Sequence, residues 1–324
     1  MKKLNIFICF LFFILFIFFI SIQTKALNYW ELENIQAISA VVLDGKSGKL
    51  LFAKNPHLKI PPASTTKLVT AMVVLDKISL NKKVKISKNV EHISSVTPYL
   101  YAGEIYTVKD LLYLALLNSS NQAAVALAEA VAGSEKAFVK LMNEKVKSLG
   151  LKETHFSTAS GLPAPYQYTT AYDLAIILYE ALKYPLIKKI IRTPKKIITS
   201  SKGRVLILKN TNHLLKDPEI KKEIIGGKTG YTRMSRHCLV NAVSYNNRLI
   251  ITSILGDPER DYLWEDTKKL VKFSKLVLSN KLSPVLIKTS VNTAILASKK
   301  FKYYVNGKKY FKKYKNKHYK LVKE

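Results

Sequence analysis

Three short stretches of this chain set a hydroxyl and an amine where one can act on the other. The first is Ser64-Thr65-Thr66-Lys67. On a helix, residues three apart share a face, so the Lys67 amine reaches the Ser64 hydroxyl. A serine hydroxyl is a weak nucleophile until a neighbour takes its proton. Lysine can take it once its pKa falls, and a crowd of other cations lowers that pKa. A helix N-terminus at Ser64 adds partial positive charge where an alkoxide and an oxyanion develop. The second stretch is Ser119-Ser120-Asn121, a polar break between two apolar runs. Ser119 suits a proton relay, and Asn121 suits a substrate amide. The third is Lys228-Thr229-Gly230, preceded by Gly226-Gly227 and followed by a β-rich run. The glycines let a ligand lie against the backbone of an edge strand. Lys228 offers a fixed cation and Thr229 a hydroxyl for a carboxylate.

Each stretch is weak evidence alone. Ser79-Leu80-Asn81-Lys82 and Ser244-Tyr245-Asn246 match the first two patterns as well. Ser64 by itself reads equally as an N-cap, Ser119-Asn121 as a helix-connecting turn, and Lys228 as a basic strand end. Ser64 is preferred because Pro61-Pro62-Ala63 introduces a helix directly before it, whereas Ser79 lies at a helix exit.

The elements that must position these groups are legible in outline. Residues 38–44 and 49–54 are β-rich runs joined by Gly45-Lys46-Ser47-Gly48, a hairpin signal. Helices are expected over 64–77, over 108–117 with Thr107 as N-cap, over 122–132 ending at Gly133, from Ser134 to Gly150, and over 171–183. Two β-like runs flank 201–203, a second hairpin turns at Asn246-Asn247, and a last helix covers 265–279. Strands, many helices, then strands and a helix predict a mixed α/β (α+β) fold, a mixed sheet with a large helical insertion.

Composition bounds the class. The chain has 324 residues, 48 % hydrophobic and 23 % charged, which excludes disorder as its main state. Lys and Arg number 53 against 22 Asp and Glu, a formal charge of +31, so the surroundings or the partner are expected to be anionic. Two cysteines exclude a disulfide scaffold, and no Cys/His spacing fits zinc. Lys2 and Lys3 precede an apolar run over 5–22, and Thr24-Lys25-Ala26 sets small residues at −3 and −1 of a cleavage site. This reads as a secretory signal peptide over 1–26, with an uncleaved anchor as the alternative. An exported basic protein points away from nucleic acid and toward membrane or wall polymers. The expected division is a signal peptide over 1–26, a catalytic domain over 27–280, and a short basic region over 281–324. The stretch from Lys299 onward holds eleven Lys, one Glu and five Tyr.

In this order, Ser-x-x-Lys, Ser-x-Asn and Lys-Thr-Gly form the signature of penicillin-binding proteins and serine β-lactamases. The flanking segments AVVLDGKSGKLLFAKN, PPASTTKLVTAM, LLNSSNQAAVALAE, THFSTASGLPAPYQYTTAYDLA and NTNHLL narrow this. Over about residues 37–255 the chain resembles the low-molecular-weight penicillin-binding proteins that are D-alanyl-D-alanine carboxypeptidases. The resemblance implies the penicillin-binding protein/β-lactamase-like fold, a sheet covered by helices on both faces. It implies Ser64 as nucleophile, Lys67 as base, Ser119 in proton relay, and Asn121, Lys228, Thr229, Gly230 and Tyr231 as substrate-binding residues. The backbone N–H groups of Ser64 and Tyr231 would form the oxyanion hole. Peptidoglycan stem peptides would be the substrates and β-lactams acylating inhibitors, with no metal or organic cofactor. A transpeptidase or endopeptidase on the same serine, a β-lactamase, or a non-catalytic wall-binding protein are the alternatives. A class A β-lactamase is disfavoured because the stretch around GLPAPYQYTTAYDLA, where the deacylating glutamate would lie, has no glutamate before Glu180, which falls within an expected helix.

Two departures stand out. Arg233-Met234-Ser235-Arg236 follows the third motif where the family tends to have small or acidic residues. Leu263 aligns with an arginine that in the family helps bind the substrate carboxylate, so Arg233, Arg236 or Arg260 is expected to serve instead. The polybasic end is read as a binder of anionic lipid or wall polymer, or as a solvated tail. His155 and His213 are expected to be structural hydrogen-bonders, and Cys238 a core residue.

Overall fold

The structure, a computed structural model, describes residues 31–32, 34–287, 303–305 and 308–310. The expected signal segment lies outside the described residues, as does most of the region beyond 287. A six-stranded sheet organises the molecule, in the order β10-β2-β1-β9-β8-β7. Its strands are β1 (Ser39–Asp44), β2 (Leu50–Lys54), β7 (Ile224–Thr232), β8 (Arg236–Tyr245), β9 (Arg248–Asp257) and β10 (Val285–Ile287). All neighbours pair antiparallel except β10, which runs parallel to β2 and pairs Val285 with Phe52.

Side chains alternate across a strand, so a sheet covered on both faces must be apolar at successive positions. In β1, Val41 and Leu43 enter one core while Ala40 and Val42 enter the other. In β9, Ile251 and Leu255 face the first core, Ile250 and Ile254 the second. The second core is closed by α8 (Arg260–Leu278), which buries Leu263, Leu270, Val271 and Phe273. Each of these contributes about 1.5–3 kcal/mol of transfer free energy. The first core is closed by α1 (Lys67–Lys77), α3 (Val108–Leu116), α4 (Asn121–Ala132), α5 (Glu135–Ser148), α6 (Ala171–Ala181) and α7 (Pro185–Arg192), with α2 (Lys88–Glu91) at its margin. Two antiparallel strand pairs flank the helices: β3 (Lys83–Lys85) with β4 (Ile105–Thr107), which α2 separates in sequence, and the hairpin of β5 (Lys195–Thr199) with β6 (Val205–Lys209). Strands β11 (Tyr303–Val305) and β12 (Lys308–Tyr310) pair with each other.

Local chemistry fixes the element ends. Thr107 and Asp110 form a capping box that starts α3. Ser120 accepts from Ala123 N–H and starts α4, which Gly133 ends at φ 75°. The connection from α3 to α4 is therefore held to four residues, and it carries Ser119. Asn246 and Asn247 at φ 48° and 59° make the tight β8–β9 turn.

Two expected elements differ. The helix anticipated from Ser64 begins instead with a 3-10 turn over Ala63–Thr66, and the α-helix starts at Lys67. Ala63, at φ 49°, cannot extend the helix backward, so the turn tightens. The last helix starts five residues before the expected 265, because Arg260–Trp264 already packs Leu263 on the second core.

Candidate active site

The 3-10 turn matters because side chains at i and i+3 eclipse on it. Lys67 Nζ lies 2.8 Å from Ser64 Oγ, 2.7 Å from Asn121 Oδ1 and 2.6 Å from the Ser160 carbonyl. An ammonium donates to all three. A neutral amine donates to Asn121 and Ser160 and turns its lone pair to the Ser64 hydroxyl proton. Both states are thus accommodated without moving a heavy atom. Lys67 is fully buried, and burial holds its pKa well below the ordinary lysine value, with the Lys228 charge adding to the effect. Neighbouring cations, the cause expected from the sequence, are thus the smaller one, and burial is the larger. Ser64 is partly exposed, and its side chain contacts Lys67 rather than capping a helix.

Ser119 sits in the connection between α3 and α4 with φ 64°, a left-handed conformation that costs a serine about 1–3 kcal/mol. It accepts a hydrogen bond from Lys228 Nζ at 2.9 Å, and the same amine reaches the Thr229 carbonyl at 2.9 Å. Lys228 is 1 % exposed, and burial lowers its pKa to about 7. Among the described residues no carboxylate pairs with either lysine. Asn121 faces Lys67 with its oxygen, and its Nδ2 donates to the Ser94 carbonyl at 2.9 Å. Its amide is therefore engaged at both ends.

Strand β7 lies at the sheet edge and crosses the 63–66 turn at Gly230. A Cβ there would stand 3.0 Å from Ser64 N and from Ala63 Cβ. The glycine is what lets the strand approach Ser64. Thr229 Oγ1 is 2.6 Å from Thr211 Oγ1. Tyr231 is exposed and lies on the ring of His237 at 4.5 Å. Ser64, Lys67, Ser119, Asn121, Lys228, Thr229 and Gly230 thus come from a turn, a helix, an interhelical break and an edge strand to one cleft, with Tyr231 at its rim.

Sequence reasoning passed over three contributors. Ser160 supplies a carbonyl to Lys67, and Gly161 at φ 84° lies against Ala63, where a Cβ would come within 1.8 Å of its carbonyl oxygen. Thr211 faces Thr229. All three lie in segments that carried the resemblance, and the glycine after Ser160 was the available signal. The expected roles for histidines and cysteine agree with the structure. His155 Nδ1 meets the Tyr166 carbonyl, His213 stacks on Trp264 and lies 3.0 Å from Arg260, and Cys238 is buried with its thiol pushed up to about 12. Leu263 is buried, while Arg260 and Arg233 are exposed.

A family model described as D-alanyl-D-alanine carboxypeptidase matches residues 24–259. The chain is 36 % identical over 226 residues to the D-alanyl-D-alanine carboxypeptidase DacF of Bacillus subtilis, covering 68 % of this chain and 57 % of the relative's length. It is 34 % identical over 271 residues to a D-alanyl-D-alanine endopeptidase of Escherichia coli, covering 80 % and 86 %. Among solved structures, the Streptomyces K15 DD-transpeptidase superposes with a TM-score of 0.70 at 28 % identity, covering 75 % of this chain and 98 % of that one. The chain belongs to the D-alanyl-D-alanine carboxypeptidase family.

Proposed function

We propose that this protein is a serine D-Ala-D-Ala carboxypeptidase acting on peptidoglycan stem pentapeptides. Neutral Lys67 takes the Ser64 proton as Oγ attacks the penultimate D-Ala carbonyl. The tetrahedral oxyanion is held by the backbone N–H groups of Ser64 and Tyr231. Its collapse expels the terminal D-Ala, whose nitrogen takes a proton from Lys228 through Ser119. Water then cleaves the Ser64 ester and releases the tetrapeptide. The observation that carries this reading is the pair of buried lysines, each with its amine on a serine hydroxyl and neither paired with a carboxylate. A buried amine of lowered pKa is a base suited to neutral pH.

Of the three arginines, Arg260 is the one we assign to the substrate carboxylate. It lies against His213; burial lowers the pKa of both His213 and His237, the latter under Tyr231, and the Arg260 charge adds to the effect at each. Replacing it with alanine should raise KM for the pentapeptide and leave kcat within a few-fold. β-Lactams acylate Ser64 on the same reading. The protein works outside the cytoplasmic membrane, and its Lys-rich end adds salt-sensitive affinity for anionic lipid or wall polymer.

The test is D-alanine release from a synthetic pentapeptide ending in D-Ala-D-Ala, with Ser64→Ala as the comparison. Release that vanishes in the variant supports the reading; no release from folded wild type overturns it. The long match to an endopeptidase favours one further assay, cleavage of a cross-linked muropeptide dimer. Dimer cleavage much faster than pentapeptide trimming would make the endopeptidase the principal activity.

A further inference from the structure

We propose that the outward face of the β5–β6 hairpin is a docking surface for an anionic lipid bilayer. This rests on a region that takes no part in the proposed chemistry. The register pairs Lys195 with Lys209, Ile197 with Ile207, and Thr199 with Val205. These three pairs share one face of the hairpin, because side chains alternate along each strand. The other face holds Ile198, Leu206 and Leu208, all buried in the first core, and Lys196, whose amine covers the Tyr113 ring. On the outward face Ile197, Ile207 and Val205 are 54 %, 50 % and 59 % exposed. Three adjacent aliphatic side chains on one exposed ribbon form a patch, not the scattered apolar residues normal to a surface.

The charges around this patch name its occupant. From Lys183 to Lys209 the chain carries nine of its basic residues and none of its 22 acidic ones; Lys183 and Arg204 pair with Glu180 and Glu104, and the other seven form no salt bridge among the described residues. Lys188 and Lys189 are exposed on α7, with Arg192 at its end. Lys195 and Lys209 stand directly opposite each other at the base of the hairpin, an arrangement of like charges that destabilises a sheet. An anionic surface would relieve it. The chain's own C-terminal stretch, with eleven Lys and one Glu beyond residue 298, is repelled by this face. A soluble polyanion would use the lysines and leave the isoleucines in water. A bilayer with anionic headgroups uses both: the cations meet the phosphates, and the short aliphatic ribbon enters the boundary beneath them.

The experiment reads the hairpin itself, because other parts of the chain can also bring the protein to a vesicle. In the full chain with Cys9→Ser, an environment-sensitive fluorophore is attached at Ile207→Cys, and in a second protein at exposed Tyr166→Cys. Both are mixed with vesicles of phosphatidylglycerol and phosphatidylcholine, and with phosphatidylcholine alone. The label at 207 should shift to the blue and brighten several-fold only with the anionic vesicles. The label at 166 should stay unchanged. Adding Lys195→Glu and Lys209→Glu should abolish the change at 207. Penicillin acylation measured on every variant confirms folding. An unaltered label at 207 on protein that pellets with anionic vesicles overturns the proposal. The same spectral change with soluble polyglycerol phosphate would also overturn it, in favour of a wall polymer.

Discussion

The molecule buries charge in two places and treats it differently in each. At the active site Lys67 and Lys228 are both almost wholly buried, and each amine is hydrogen-bonded to a serine and to a carbonyl. Beneath α8, Asp257 and Asp266 are equally buried. Asp266 is held by the Gln36 and Ala37 N–H groups and by Lys269, but among the described residues neither oxygen of Asp257 has a hydrogen-bond partner. Burial lowers the pKa of the lysines and raises that of the aspartates, so in both places the neutral form gains. The difference is that each lysine keeps a hydroxyl within reach of the proton it exchanges. Desolvation alone makes a neutral group; desolvation beside a nucleophile makes a base.

Breaking the active-site half should have the largest effect. Ser64→Ala should abolish both D-alanine release and covalent labelling by penicillin, because no second hydroxyl occupies its place on Lys67. Lys67→Ala should slow acylation by about 10²–10⁴, the range general-base catalysis contributes. Acylation kinetics with a fluorescent penicillin would measure both. A Lys67→Ala protein that acylates at the wild-type rate would leave burial without a catalytic meaning.

Geometry comes next. Gly230→Ala places a methyl 3.0 Å from Ser64 N and Ala63 Cβ. Either β7 or the 63–66 turn must shift by a few tenths of an ångström. Acylation should fall by about tenfold to 10²-fold, since small misplacements near reacting atoms carry such costs. Thermal denaturation should change little by comparison, because the sheet core lies elsewhere. A larger loss of stability than of acylation would assign Gly230 to folding.

The pH profile sharpens the division between the two lysines. On the proposed mechanism Lys67 is neutral when it acts as base, and Lys228 is protonated when it donates toward the leaving nitrogen. Lys228 titrates at about 7 in the free protein, so kcat/KM should fall as pH rises through that value. A bound substrate carboxylate favours the charged lysine, so the corresponding limb in kcat should lie at higher pH. Lys228→Ala removes a charge that lowers the Lys67 pKa, so the ascending limb should move to higher pH. An ascending limb that stays in place would mean that burial alone sets Lys67.

Much of this was legible in the sequence, for identifiable reasons. The hairpins at 39–54 and 236–257 announced themselves by apolar runs around Gly45–Gly48 and Asn246-Asn247, and the helix ends by Thr107, Gly133 and Ser134. The three motifs carried the site because each side chain's reach is short and local. What stayed hidden depends on contacts across the chain. The Ser160 carbonyl on Lys67, 93 residues away, leaves no mark in its residue type. The 3-10 turn at 63–66 follows from Ala63 being held left-handed against Gly161, a tertiary constraint. The outward face of β5–β6 was visible as two β-like runs, but which side of the ribbon met solvent required the register.

The smallest effect tests the other half of the comparison. The Asp257 pKa is raised from 3.8 to about 8 by burial and by Asp266, against the charges of Lys54, Lys269 and Arg236. Between these values the unfolded chain is ionised and the folded one is not. Stability from this residue is therefore fully present below pH 3.8, falls as pH rises toward 8, and changes no further above it. Asp257→Asn removes the titration and keeps the shape. It should leave stability at pH 4 near wild type and raise it at pH 8 by about 1–3 kcal/mol, the scale of relieving one unsatisfied buried group. Penicillin acylation at pH 7 should be unaltered. Denaturant melts at the two pH values would decide it. A gain that is equal at both would mean that Asp257 is a packing defect and not a buried acid, and the parallel with the lysines would then fail.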